Sequence, residues 1–177
     1  MNNPFSEHPE PSDYVAAFGR YVALVPEGDI LDTLSRQNAE VKDLLSRVGE
    51  EKANYSYAPG KWSLKEVANH FTDSERVFAY RALSIGRGDA QPLPGFDENL
   101  YAAHAGVAGA ELSDILDEFE ALRRASVLFF RLLPEAAWSA RGVANKAEIT
   151  VRALAWVMAG HVAHHIEVLR SRYLSVG

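Results

Sequence analysis

Four stretches of this chain repeat apolar side chains at the three-and-four-residue interval of an α-helix, and each is bounded by its own start and stop signals. In the first, Ile30, Leu31, Leu34, Val41, Leu45 and Val48 share a face; Asp29 stands in the N-cap position and Gly49 closes the run. In the second, Ser63-Leu-Lys-Glu66 spells a capping box, and Trp62 just before it suits a staple at the helix start. Its inner stripe is Val67, Phe71, Val77, Phe78 and Ile85, and Gly86-Arg-Gly88 ends it. The third runs from about Ala110 to Leu133 with Leu112, Ile115, Leu116, Phe119, Leu122, Phe129 and Phe130 inward, and Pro134 stops it. The fourth is capped by Thr150 and runs to about Tyr173. No segment shows a convincing strand alternation, so the expected fold is all-α, a four-helix bundle.

A chain of 177 residues makes one ordinary domain, and with 47% apolar residues it can build a core without covalent staples. It has no cysteine, which excludes disulfides, thiolate metal sites and a cysteine nucleophile, and fits a reducing, cytoplasmic setting. A net charge of −6 argues against the broad basic patch that nucleic-acid binding needs. No apolar run approaches the length of a membrane span. Residues 1–12 are polar and proline-rich and read as a flexible tail, leaving 13–177 as the single bundle domain. Asp13 to Val25 reads as a short helix or extended arm on the body. The connection from Gly86 to about Gly109, between the second and third long helices, carries Pro92, Pro94 and Gly95; a loop of that length usually serves a site or is disordered.

Chemistry concentrates on histidines. On the last helix the inner stripe reads Leu154, Met158, His161, His165, Val168, with steps of four, three, four and three. His161 and His165 therefore sit one turn apart on a core-facing seam, about 5–6 Å between β-carbons. Two inward imidazoles need partners for their ring nitrogens, and a shared metal ion supplies one. His70, among Val67, Phe71, Ser74 and Val77 on the second helix, is the expected third ligand. Three neutral imidazoles plus solvent make a zinc-type site with an open position; nickel, iron and manganese also accept imidazole. Spacing alone leaves the alternative of hydrogen-bonded core histidines. His164 turns toward the flank of the stripe and reads as a supporting or solvent-facing residue. His164, His104 in the long loop and Asp73, one turn after His70, are weaker candidates for chemistry, with a solvated side chain the preferred reading of the last two. Arg81 and Arg123 fall near inner stripes, where an unpaired charge is costly. Glu75 or Glu120 is the expected partner, with recognition of an anionic substrate as the alternative.

Longer tracts carry a family likeness. Tyr57-Ala-Pro-Gly-Lys-Trp-Ser-Leu-Lys-Glu-Val67, then His70 and Asp73-Ser-Glu-Arg-Val-Phe-Ala-Tyr-Arg-Ala-Leu83, resemble the DinB-like (DinB/YfiT) superfamily, as does Ala159-Gly-His-Val-Ala-His-His-Ile166. The Pro92-Leu-Pro-Gly-Phe-Asp97 loop and the Glu118-Phe-Glu-Ala-Leu-Arg123 helix extend the likeness over most of the chain from about Tyr21. The resemblance implies a four-helix bundle of metalloenzymes, often dimeric, with a divalent metal on three histidines at positions that match His70, His161 and His165. Zinc or nickel is favoured, with iron or manganese as alternatives. Members with known activity include bacillithiol-dependent S-transferases and a mycothiol-dependent maleylpyruvate isomerase. The resulting expectation is a small-molecule enzyme, a low-molecular-weight-thiol S-transferase in detoxification or stress response. The alternatives are a metal-dependent hydrolase, or a non-catalytic bundle with a structural metal or small-ligand site. A homodimer is expected from the family and from the spare aromatics Tyr14, Phe18 and Tyr21.

Overall fold

The structure, a computed structural model, describes residues 3–175. Two 3-10 turns, Pro11–Asp13 and Ala16–Phe18, lead into a single helical turn α1 (Gly19–Val22). The chain then forms α2 (Ile30–Leu45), α3 (Glu50–Ala53), α4 (Leu64–Gly86), α5 (Glu98–His104) and, after a 3-10 turn at Val107–Gly109, α6 (Leu112–Arg131). A short α7 (Glu135–Trp138) precedes a hairpin of β1 (Arg141–Ala144) and β2 (Ala147–Thr150). The last long helix is α8 (Val151–Val168), continued by a π-helical turn, Leu169–Leu174.

The caps read from the sequence are in place. Asp29 accepts from the backbone N–H of Leu31 (2.8 Å) and Asp32 (3.3 Å). The Ser63 hydroxyl accepts from Glu66 N–H (3.2 Å) while the Glu66 carboxylate accepts from Ser63 N–H (2.6 Å). Thr150 caps α8 through Ala153 N–H (3.1 Å). One capping arrangement has no local signal: the Glu50 carboxylate accepts from Leu112 N–H (2.9 Å) at the start of α6 and pairs with the buried Lys65 ammonium. It ties α3, α4 and the α6 N-terminus together where the helix dipole favours an anion.

The core falls into two apolar clusters separated by a polar layer. Ile30, Leu34, Phe78, Ile85, Phe130, Trp138 and Leu154 belong to one; Val41, Leu45, Leu64, Phe71, Phe119, Val162 and Leu169 belong to the other. Thus α2 and α8 run from the first cluster to the second, and α4 and α6 run the opposite way. The close lateral pairs are α2 with α6 and α8, and α4 with α6 and α8. The order along the chain is up, down, down, up. Because α4 and α6 are parallel neighbours, the chain must travel the length of the bundle between them, and this is the reason for the long 87–111 connection.

Between the clusters lies a buried ionic network. Arg123 on α6 is fully buried and donates through Nε and Nη2 to the two oxygens of Glu75 on α4 (2.9 and 2.8 Å). Its Nη1 donates to the Leu34 carbonyl (3.3 Å) and the Gln37 side-chain oxygen (3.2 Å), and Gln37 Nε2 donates to the Ala159 carbonyl (2.8 Å). One guanidinium is thereby linked to all four long helices. Of the two partners expected for the inward arginines, Glu75 takes Arg123, while Glu120 pairs with Lys42 on the surface.

Two expectations change. The two strands were not foreseen: they are four residues each, joined by Asn145 and Lys146, both at positive φ (51° and 65°) as a tight hairpin requires. The hairpin anchors the long loop, since Leu93 N–H donates to Val143 O (2.9 Å) and Asn145 N–H to Leu93 O (3.0 Å). The described part of the expected tail also touches the body. Phe5 O accepts from Ile30 N–H (2.9 Å), the Phe5 ring lies 5.3 Å from Trp138, and Glu7 pairs with Arg152. These contacts are made by isolated residues without a period, so the sequence pattern does not announce them. Tyr14, Phe18 and Tyr21 pack half-buried against the chain's own core. No described helix is long and apolar enough to cross a membrane.

Candidate metal centre

Antiparallel α4 and α8 bring His70 to His161 and His165 at the level of the polar layer. His70 Nε2 lies 2.9 Å from His161 Nε2, and His165 Nε2 lies 3.2 Å from the same atom. Ring centroids are 4.8 Å (His70–His161), 5.0 Å (His70–His165) and 4.5 Å (His161–His165) apart. Among the described residues this is the group of three that could hold a metal ion.

All three imidazoles are held neutral. Burial lowers the pKa of His70 to about 4 and of His165 to about 3, and it pushes His161 well below its ordinary value. The neighbouring rings and Arg20 add to the lowering of His165. Neutral imidazoles facing one another leave a conflict. His161 Nε2 has either one proton or one lone pair, yet two other ring nitrogens approach it, so one contact is always unmatched. The buried Nδ1 of His165 also has no hydrogen-bond partner. A cation taking all three lone pairs resolves the first conflict. Nitrogens bound about 2.0–2.1 Å from a tetrahedral ion lie about 3.3 Å apart, so separations of 2.9 and 3.2 Å fit within a few tenths of an ångström. An all-imidazole donor set suits zinc, nickel or iron far better than magnesium or calcium.

The cluster opens on a cavity of about 340 Å³. Trp62 lies 4.9 Å from His70 and Phe78 lies 5.8 Å from His161. Ser74 Oγ sits 3.3–3.4 Å from the His70 ring nitrogens and steadies that ring. From the N-terminal arm, Tyr21 meets the rings of His161 (5.5 Å) and His164 (5.7 Å) edge-on, while Phe18 and Arg20 reach the rim. The arm can approach so closely because residue 160 is glycine: a β-carbon there would stand 1.9 Å from the Tyr21 carbonyl oxygen. The long loop closes another side with Phe96 and Glu98, the hairpin adds Asn145, and Arg81 completes the wall.

The other sequence candidates fall around this centre. His164 lines the cavity from the flank of α8, its ring 5.2 Å from that of His165, outside the nitrogen cluster. His104 is exposed at the end of α5, its Nδ1 2.8 Å from Leu100 O. Asp73 accepts from Asn69 Nδ2 (2.9 Å), and burial raises its pKa. His104 and Asp73 border a separate groove on the outer side of α4 and do not line the histidine cavity. Glu98 and Arg20 escaped the sequence reading because they lie outside the periodic stripes, and Tyr21 was read as a spare aromatic of the arm, not as a wall of the site. The arm itself was read from Asp13 to Val25, but nothing in that stretch said that it would border the histidines.

Fold and site together define a four-helix-bundle protein with a histidine centre ready for a divalent cation at the base of a small-molecule-sized cavity. The chain belongs to the DinB superfamily, whose family model matches residues 33–169. Among solved structures it is similar to YfiT from Bacillus subtilis, described as "a probable metal-dependent hydrolase with an unusual four-helix bundle topology". The two share 18% identity over 93% of each chain with a TM-score of 0.69, a likeness of fold. No curated protein matches the sequence.

Proposed function

We propose that this chain is a metal-dependent enzyme acting on a small molecule, with His70, His161 and His165 as the metal ligands. The observation that carries this reading is the convergence of three neutral imidazole nitrogens at the base of an open cavity. A structural site would be closed by a fourth protein ligand; among the described residues no further histidine or carboxylate joins the cluster. A divalent ion there supplies Lewis-acid activation of a bound nucleophile.

The chain's own residues bind and shield. Trp62, Phe78 and Tyr21 wall the histidines with aromatic side chains, and Arg20 and Arg81 bring positive charge to the cavity. With no cysteine in the sequence, a sulfur nucleophile has to arrive on a cofactor. The preferred reaction, which the family resemblance suggests and a chain without cysteine permits, is S-transfer: a low-molecular-weight thiol gives its proton to solvent, the thiolate attacks an electrophilic carbon, a C–S bond forms, and the bond to the leaving group breaks with both electrons going to that group. A second reading, hydrolysis, is favoured by Glu98, the only carboxylate among the described cavity-lining residues and a ready acceptor of a proton from water. The description of YfiT points the same way.

The cobalt-substituted protein separates these. Titration with a panel of low-molecular-weight thiols should add a thiolate-to-metal band to its visible spectrum. A spectrum indifferent to every thiol, with ester hydrolysis that disappears in Glu98→Gln, transfers the assignment to the hydrolase.

A further inference from the structure

Two arginines are buried in this fold, and they are treated differently. Arg123 has a bidentate carboxylate and two further oxygen acceptors. Arg81 is only 4% exposed, yet its one hydrogen bond to protein runs from Nη2 to the Pro94 carbonyl at 2.9 Å, and no ion pair includes it among the described residues. A guanidinium has five N–H donors and a full charge, so burial with a single carbonyl is costly unless something else supplies the anion. Its surroundings agree: burial lowers the pKa of Arg81, and no carboxylate opposes that shift.

Arg81 lines the wall of the histidine cavity. The charged side chains that line it are Arg20 and Arg81 against Glu98, and among the described residues Glu98 makes no ion pair with Arg81. We propose that Arg81 holds the anionic group of the small molecule bound in this cavity, and that this group is a carboxylate. The assignment rests on reading the cavity as the substrate site and adds the substrate class to it. One guanidinium, with one donor already engaged by Pro94, matches a planar monoanion through its free edge. The aromatic faces of Trp62, Phe78 and Phe96 suit a planar apolar body behind the carboxylate.

Calorimetric titration of the whole chain, metal-free and zinc-loaded, with benzoate and phenylacetate and with their amides tests this. The metal-free form matters because a carboxylate can also ligate zinc. The acids should bind metal-free protein at least ten-fold tighter than the amides. That preference should fall at least ten-fold in Arg81→Gln, which removes the charge, and survive in part in Arg81→Lys. Melting curves establish that each variant is folded. If Arg81→Gln does not fold, the acid–amide preference of the unaltered chain and of Arg81→Lys decides. Equal binding of acids and amides, undiminished acid binding in folded Arg81→Gln, or tighter binding of phenyl phosphate than of benzoate overturns the proposal. Zinc stoichiometry measured on the same samples keeps the two claims apart. Absent zinc with an intact acid preference refutes the metal reading alone, and bound zinc without an acid preference refutes this one alone.

Discussion

A metal ion binds imidazole only in its neutral form, and burial keeps His70, His161 and His165 in that form. The same burial predicts how the metal-free protein responds to acid. As pH falls below the ordinary histidine value of 6.5, the unfolded chain takes up protons that the fold refuses until about 4 at His70 and about 3 at His165. The lowered folded-state values therefore contribute stability that is complete above about pH 6.5 and is lost as pH falls toward those values. For His70 alone the loss is about 3 kcal/mol by pH 4. Urea unfolding of the metal-free chain should give a flat midpoint from this group above pH 7 and a steep decline between pH 6.5 and 4. A midpoint unchanged across that window would contradict the burial argument. At this scale the ligand candidates were legible, because His70, His161 and His165 each occupy a position in a helical stripe. Arg20 and Glu98 were not, and Tyr21 was read only as an aromatic of the arm, since nothing in a non-periodic segment says which cavity it will border.

Among the elements, α1 is inconspicuous in the sequence and stands directly against the site. Its backbone lies directly on α8 at Gly160, where an added β-carbon would meet the Tyr21 carbonyl oxygen and carbon at 1.9 and 2.4 Å. Backbone cannot step aside as a flexible side chain can, so Gly160→Ala should push the arm outward and take Tyr21 from the rings of His161 and His164. The expected destabilisation is about 1–3 kcal/mol, the range of over-packing in a close-packed contact. The amide signals of residues 18–22 should shift in NMR spectra while those of α6 stay in place; unchanged arm signals would show that the contact is looser than described. The hairpin shows why elements can be missed. Its strands are too short to display alternation, and its turn is Asn145-Lys146, without the glycine that usually marks such a reversal. The long helices were legible to within a few residues, because their caps are chemical signals, not statistical ones.

At the scale of the molecule, two apolar clusters are joined across a polar layer that contains both the Arg123–Glu75 network and the histidine centre. The network spans α2, α4, α6 and α8, so it fixes the level at which α4 and α8 present their histidines. Removing one partner leaves a buried charge alone: Arg123→Ala should cost about 3–5 kcal/mol in urea unfolding, and the double change Glu75→Leu with Arg123→Met should cost less. A larger loss in the double variant would contradict the desolvation argument. The up-down-down-up order could not be read from helix stripes, which give faces and lengths but not neighbours. Only the length of the 87–111 connection hinted at it, since parallel α4 and α6 require a return path. The most direct test of the central claim is metal content per chain, by mass spectrometry, on protein purified without a histidine tag and loaded with zinc or nickel, for the unaltered chain and for His161→Ala, His165→Ala and His164→Ala. The account predicts one ion per chain in the unaltered protein and in His164→Ala, and none in the other two. Full metal retention in His161→Ala or His165→Ala, or no metal under any loading condition, would contradict it.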